Sequence, residues 1–179
     1  MKTLALIMAA MGVVFLVGCG SSGGGPPTQR PEVPRPDVPQ PAAEGPTDPV
    51  EAIRANAQLV VTTMKVNSGV DLRFDAESVK WLDGYIERNR ATLDADTKEK
   101  LVDVLGAYLG EAMIRSYGGQ WEKYQNTWCV SFGEKNKAFP FGKVAKQIRN
   151  GEGDSIYSFF TAVPVVMKLQ EKKTGGEGP

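Results

Sequence analysis

The distribution of proline limits where this chain can fold. Between residues 20 and 48, eight prolines and five glycines accompany few large apolar side chains. Proline lacks a backbone donor, and a segment with so little apolar surface cannot offset the entropy lost on ordering. We therefore predict a disordered tether over residues 19–48, so that the folded part of the chain begins at about residue 49.

The residues before the tether predict a secretion signal. Lys2 precedes an apolar run over residues 4–17, which has the length of a signal peptide and is short for a membrane span. Residues 16–19, "LVGC", resemble the lipobox of bacterial lipoproteins, with an aliphatic residue three positions before the cysteine and a small residue next to it. The resemblance implies a signal peptide over residues 1–18, alkylation of the Cys19 thiol with a diacylglycerol that carries fatty acids such as palmitate, and in many bacteria acylation of the new amino terminus.

The lipobox resemblance also implies a location in the cell envelope. Two or three acyl chains at Cys19 would hold the chain at a membrane, because each buried methylene contributes ~0.8 kcal/mol. Gly20 follows the cysteine, and by resemblance to enterobacterial sorting this favours the outer membrane, facing the periplasm, in a host with two membranes. In other hosts the anchor implies the outer face of the plasma membrane. The expected partners are the membrane, through the lipid, and an envelope protein or a cell-wall polymer.

Composition excludes several classes of function. The chain has no histidine, which removes Ser-His-Asp and Cys-His catalysis and His-ligated zinc. No phosphate-binding glycine loop or calcium loop is recognisable, and Cys129 is the single cysteine besides Cys19. The 21 basic residues balance the 21 acidic ones, so no broad field favours nucleic acid. We predict no nucleic-acid partner, and we assign no metal, cofactor or catalytic residue.

Residues 49–173 predict a single globular domain that begins with three helices. Asp48 and Asp75 are placed to cap the first and the second helix. Asp96 and Glu99 match a capping box for a third helix, which the glycine pair after Tyr117 should end.

The rest of this domain predicts a small sheet and two more helices. "QWEKY" and "TWCVSF" flank Gln125-Asn126 as a β-hairpin, and "KAFPF" is a possible third strand. A short helix follows, and then a last helix that Asp154 caps and that Pro164 should kink or end. The fold class is therefore α+β, with four to five helices packed on a small antiparallel sheet, followed by a disordered tail over residues 174–179.

The third helix carries an acidic residue in an apolar setting. "GAYLGEAMIRSYGGQW" surrounds Glu111 with apolar and glycine residues, and a helical wheel puts it at the rim of the apolar face. Three roles remain open: an ion pair with Arg115 one turn later, a structural carboxylate bound by the hairpin, or a catalytic or ligand-binding group. Catalysis would need a second acid across a cleft, for which residue type alone offers Asp71, Asp75, Asp83 and Asp103.

Glycine and aromatic residues near Glu111 predict close packing and a candidate binding surface. Gly106 and Gly110 each cost about 1 kcal/mol in helix propensity, so we expect another backbone or a ligand to approach them. Six aromatic residues follow within a short stretch, and most should be core. Trp121 and Trp128 are the candidate binding aromatics among them.

Three segments resemble a family of bacterial domains of unknown function: "SVKWLDGYIERNR", "LGAYLGEAMIRSYGGQW" and "FPFGKVAKQIRNGEGDSIYSFF". The shared pattern is a YLGE-type helix, a glycine turn and a tryptophan, over roughly residues 70–160. The resemblance implies a fold and no catalytic residues.

Three functions are compatible with this sequence. The leading hypothesis is a lipid-anchored envelope protein whose domain binds a partner without catalysis. An envelope glycan hydrolase using Glu111 with an unidentified aspartate is the first alternative, and an immunity or inhibitor lipoprotein is the second.

Overall fold

The computed structural model describes residues 48–134 and 136–174, with side chains up to residue 168. The predicted signal peptide, Cys19, residues 20–47 of the tether and the end of the tail lie outside the described residues. Pro46–Pro179 forms one compact unit. Its described part has an α+β fold of five α-helices and a three-stranded antiparallel sheet, as predicted.

The helices, in chain order, are α1 (Pro49–Ser68), α2 (Ala76–Asn89), α3 (Ala95–Tyr117), α4 (Pro140–Asn150) and α5 (Ile156–Thr174). The carboxylates of Asp48, Asp75 and Asp94 accept backbone N–H groups at the starts of α1, α2 and α3. In the described part of the chain, none of these helices combines the length and the apolar character that crossing a membrane requires.

Asp94 caps α3, and the predicted capping by Asp96 is wrong. One carboxylate oxygen of Asp94 accepts the backbone N–H of Thr97 at 2.8 Å, and the other accepts its hydroxyl, also at 2.8 Å. Asp96 instead lies in the first turn of the helix, where its negative charge is favourable near the N-terminal end of the helix dipole.

The start of α5 differs from the prediction, and of the two effects expected of Pro164, a kink or an end, the end is absent. The hydroxyl of Ser155 accepts the N–H of Ser158 at 3.0 Å and so caps this helix. Asp154 lies just before it, in the short 3₁₀ turn Glu152–Asp154. Pro164 does not end the helix, which continues to Thr174. Its missing N–H removes one hydrogen bond, and the bonds of the neighbouring turns suffice to continue the helix.

The sheet has the strand order β1-β2-β3, with β1 (Gln120–Tyr124), β2 (Thr127–Ser131) and β3 (Lys137–Ala138) all antiparallel. Gln125 and Asn126 connect β1 and β2 with φ values of 45° and 64°. Two successive positive φ values are typical of a tight hairpin turn whose twist matches the strands. The predicted third strand is present, but it is short because Pro140 already begins α4.

Helix α3 is the centre of the domain, with α1 and α4 packed against it. All residues from 104 to 113 are buried, so the middle of the helix is enclosed on every side. The sequence predicted one apolar face with Glu111 at its rim. Two elements beyond the apolar face explain the difference: Phe141 at the start of α4 covers Gly106, and Trp121 of β1 covers Gly110 and contacts Glu111.

Candidate functional site

Glu111 is held by contacts to three different elements. Its side chain lies inside the domain, with 6% of the residue exposed. One oxygen accepts the indole N–H of Trp121 at 2.8 Å and lies 3.7 Å from Nε of Arg54. The other oxygen lies 3.8 Å from Nε of Arg115. The geometry therefore combines two of the roles considered above, the ion pair with Arg115 and the structural carboxylate bound by the hairpin.

Arg115 is itself fixed by an aromatic stack. Its guanidinium lies 3.7 Å from the centroid of the Phe74 ring, which stacks on Tyr108 at 4.6 Å. The hydroxyl of Tyr108 accepts the backbone N–H of Phe74 at 2.9 Å. Burial raises the pKa of Tyr108, so the phenol stays protonated at neutral pH. Glu111 and Arg115 are thus joined to a buried structural cluster.

Trp121 and Phe141 fill the space beside the two glycines of α3. A Cβ atom at Gly110 would overlap the ring of Trp121, and one at Gly106 would lie 2.9 Å from Cα of Phe141. The rings of Trp121 and Phe141 are 5.8 Å apart. Both glycines are closely approached, as predicted. The expected neighbour was a backbone or a ligand, which fits Cα of Phe141 at Gly106, whereas at Gly110 the neighbour is the Trp121 side chain. The structure places Trp121 in the core, where its indole binds Glu111.

The second binding candidate, Trp128, is half-buried on the same side of the sheet as Trp121. The strand register pairs it with Lys123, next to the pair of Trp121 and Val130. Side chains alternate between the two faces of a strand, so Trp128 lies on the face that carries the buried Val130. It is therefore turned away from the opposite, more polar face.

Three of the four aspartates considered as a second acid are bound elsewhere. Asp75 caps α2. Asp83 accepts the hydroxyl of Ser155 at 2.6 Å and the N–H of Tyr157 at 3.1 Å, which ties α2 to the start of α5. The remaining one of the three, Asp71, lies in ion pairs with two exposed basic residues, Lys65 and Arg73.

Asp103 is the fourth aspartate and lies on the exposed side of α3. Partial burial raises the pKa of Asp103, and the negative charge of the neighbouring Glu99 adds a smaller effect in the same direction. A raised pKa is what a general acid requires. Asp103 and Glu111 are, however, absent from the linings of the two clefts described below. Nothing in the described geometry pairs them across a cleft.

The more polar face of the sheet carries two exposed aromatic rings. We call it the hairpin face and define it as Gln120, Glu122, Tyr124, Ser131, Lys137 and Phe139. The residues Tyr124 and Phe139 are 41% and 37% exposed. Their centroids lie 6.4 Å apart in an edge-to-face arrangement. The alternation of side chains along β1 explains why Tyr124 is exposed while Trp121 is buried.

An ion pair occupies the middle of the hairpin face. Nζ of Lys137 lies 2.6 Å from a carboxylate oxygen of Glu122 and 5.3 Å from the centroid of the Tyr124 ring. The hydrogen bond from Lys137 lowers the pKa of Glu122, and the same bond raises the pKa of Lys137. Both groups are therefore charged at neutral pH, and their charges cancel locally.

Cys129 lies beneath this ion pair and is fully buried. Its thiol donates to the carbonyl oxygen of Glu122 at 3.3 Å. Burial raises the pKa of the thiol, so it stays protonated and is a poor nucleophile. The role of Cys129 is packing.

Two clefts adjoin the hairpin face, and Lys137 lines both. The larger, of about 700 Å³, is polar and includes Gln120, Glu122, Ser131 and Glu134. The smaller, of about 260 Å³, lies between β3 and α5 and is mostly apolar, with Phe132, Phe159, Val163 and Met167 in its lining. The polar cleft and the aromatic pair thus lie on either side of the central ion pair.

Neither a metal site nor a similar known protein assigns a role to these residues. Over residues 48–134 and 136–174, no group of three or more cysteine or acidic side chains is placed to hold a metal ion. No protein-family model matches this chain, and no curated protein or solved structure matches it.

Proposed function

We propose that this chain is a lipid-anchored bacterial envelope protein whose domain binds a partner through the hairpin face and catalyses no reaction. The lipobox at residues 16–19 and the proline-rich tether support the anchor. One observation carries the binding role. The exposed aromatic rings and a polar cleft lie together on the hairpin face, whereas Glu111 is enclosed and fully engaged.

The described carboxylates give the hydrolase alternative little support. Both oxygens of Glu111 have protein partners, so a substrate would first have to displace them. Glu122 and Glu134 both line the polar cleft. The pKa of Glu122 is lowered by Lys137, however, and a general acid needs a raised pKa.

An immunity or inhibitor lipoprotein remains the other alternative. It would use the same face against a protein, and a neighbouring gene for a toxin or a hydrolase would favour it.

The anchor can be tested with Cys19→Ser in the full chain. We expect the wild-type chain to incorporate labelled palmitate and to sediment with membranes until detergent is added. The Cys19→Ser chain should lose the label and the membrane association, because a serine hydroxyl accepts no thioether-linked lipid. Ser22→Ala is the matched control and should behave like the wild type. A Cys19→Ser chain that still carries the label and sediments with membranes would contradict the anchor.

The binding role can be tested with a soluble chain of residues 20–179, which keeps the whole compact unit. We expect it to co-sediment with isolated envelopes of the host. Changing Tyr124 and Phe139 together to alanine should weaken binding by at least about tenfold, a loss of ~1.4 kcal/mol. Val66→Ala removes an exposed apolar side chain from α1 and is the control. No sedimentation of the wild type, or equal sedimentation of all three chains, would refute the role of this face.

A further inference from the structure

We infer that the hairpin face recognises an uncharged, β-linked glycan strand, the sugar backbone of a cell-wall polymer. This inference rests on the proposed function and names the ligand class of the same face. It follows from the order of groups along the face: an aromatic pair, a neutral ion pair and a polar cleft.

The aromatic pair suits the apolar faces of sugar rings. A β-linked pyranose has axial C–H groups on its two faces and polar groups around its edge. Tyr124 and Phe139 expose ring surface at an angle to each other, and aromatic rings combine a large contact area with a defined orientation. The C–H face of one sugar can therefore stack on one ring and contact the edge of the other.

The polar cleft suits the edges of the neighbouring sugars. It contains the amide of Gln120 and the partly exposed carboxylate of Glu122, so both donors and acceptors are available. Ser131 also lines it but is buried, and its hydroxyl donates to the carbonyl oxygen of Gly133. A strand rises about 3.4 Å per residue, which separates Gln120 from Tyr124 by about 14 Å. That distance matches a short oligosaccharide that spans the cleft and the aromatic pair together.

The charges on the face disfavour an acidic ligand, because Glu122 and Lys137 balance each other and Glu134 adds a carboxylate to the adjoining cleft. Lys137 is only 18% exposed and is bound to Glu122, so it is not free to neutralise an acidic polymer. A protein partner would need a contact area of about 800 Å² per side around buried apolar anchors. On the hairpin face the exposed apolar groups are two rings, and the adjoining apolar cleft between β3 and α5 holds only about 260 Å³, against about 700 Å³ for the polar cleft.

The inference can be tested with purified, protein-free peptidoglycan sacculi, using the same chain of residues 20–179. We expect the wild type to co-sediment with the sacculi, also at high salt, and a soluble N-acetylglucosamine tetramer to compete. Tyr124→Ala and Phe139→Ala should each weaken binding by at least about fivefold, whereas Val66→Ala should bind like the wild type. Thermal unfolding of each variant shows separately whether it is folded.

The possible outcomes separate this inference from the proposed function. If the chain binds whole envelopes but not sacculi, and protease treatment of the envelopes abolishes that binding, the glycan inference is overturned and the partner is a protein. Binding that high salt abolishes would point to an acidic polymer and also overturn the inference. Sacculus binding that is unchanged in folded Tyr124→Ala and Phe139→Ala chains would place the site elsewhere. No binding to envelopes at all would remove the proposed function together with the inference.

Discussion

Replacing Glu111 with alanine is expected to destabilise the domain by about 2–4 kcal/mol. The change removes the acceptor of the Trp121 indole N–H, 2.8 Å away, and a buried donor without a partner costs ~1–3 kcal/mol. The cavity left by the side chain adds to this cost. The ion pairs contribute less, because the side chains of Arg54 and Arg115 are more than half exposed. Urea unfolding followed by tryptophan fluorescence measures the loss.

Two glutamine variants separate the hydrogen bond from the charge. In Glu111→Gln the amide oxygen can still accept the Trp121 N–H, so we expect a loss below ~1.5 kcal/mol. Glu99→Gln makes the same change on the exposed side of α3 and should stay within ~0.5 kcal/mol of the wild type. If Glu111→Gln were as destabilising as Glu111→Ala, the charge of Glu111 and not its hydrogen bond would hold the cluster.

Local chemistry made much of the fold predictable. Asp48 and Asp75 cap their helices as expected, and Gln125-Asn126 forms the hairpin turn. Each of these features depends on side chains and backbone within a few residues. Asp94 and Asp96 show the limit of this argument, because either can cap the same helix. The choice depends on the side-chain contact between Asp94 and Thr97, which the capping-box pattern does not capture.

The surroundings of Glu111 depend on contacts that sequence patterns do not encode. The sequence paired Glu111 with Arg115, because they lie one turn apart on one helix. Arg54 reaches Glu111 only because α1 packs on α3. Likewise, the two glycines predicted a close approach but could not name Trp121, whose contact requires the hairpin to fold back over the helix that precedes it.

The hairpin face was only half predictable for a similar reason. Strand alternation places Trp121 and Tyr124 on opposite faces of β1, and that much is readable from their spacing. The side chain that packs against Gly110 determines which face of β1 is covered by α3. Trp121 takes that place, so the smaller rings of Tyr124 and Phe139 remain exposed and define the candidate site.

Changing Gly110 to alanine is expected to destabilise the domain by about 2–4 kcal/mol, although alanine is the better helix former. The new methyl group would overlap the Trp121 ring, and overpacking of this kind typically costs ~1–3 kcal/mol. A displaced ring also loses its bond to Glu111, which adds ~1–3 kcal/mol. The gain in helix propensity returns about 1 kcal/mol. Urea unfolding gives the net change, and a red shift of the folded-state tryptophan emission would show that Trp121 has become exposed.

Gly142→Ala is the matched control, because the same change falls in another helix, α4, and the added Cβ meets nothing within 4 Å apart from its chain neighbours and the backbone of its own helix. It should leave stability unchanged or raise it by up to ~1 kcal/mol, since alanine reduces the freedom of the unfolded chain without strain. The two variants are therefore expected to shift the unfolding midpoint in opposite directions. A Gly110→Ala chain as stable as Gly142→Ala would mean that Trp121 does not occupy the space beside α3. The argument that the hairpin buries its tryptophan and exposes Tyr124 would then fail at its first step.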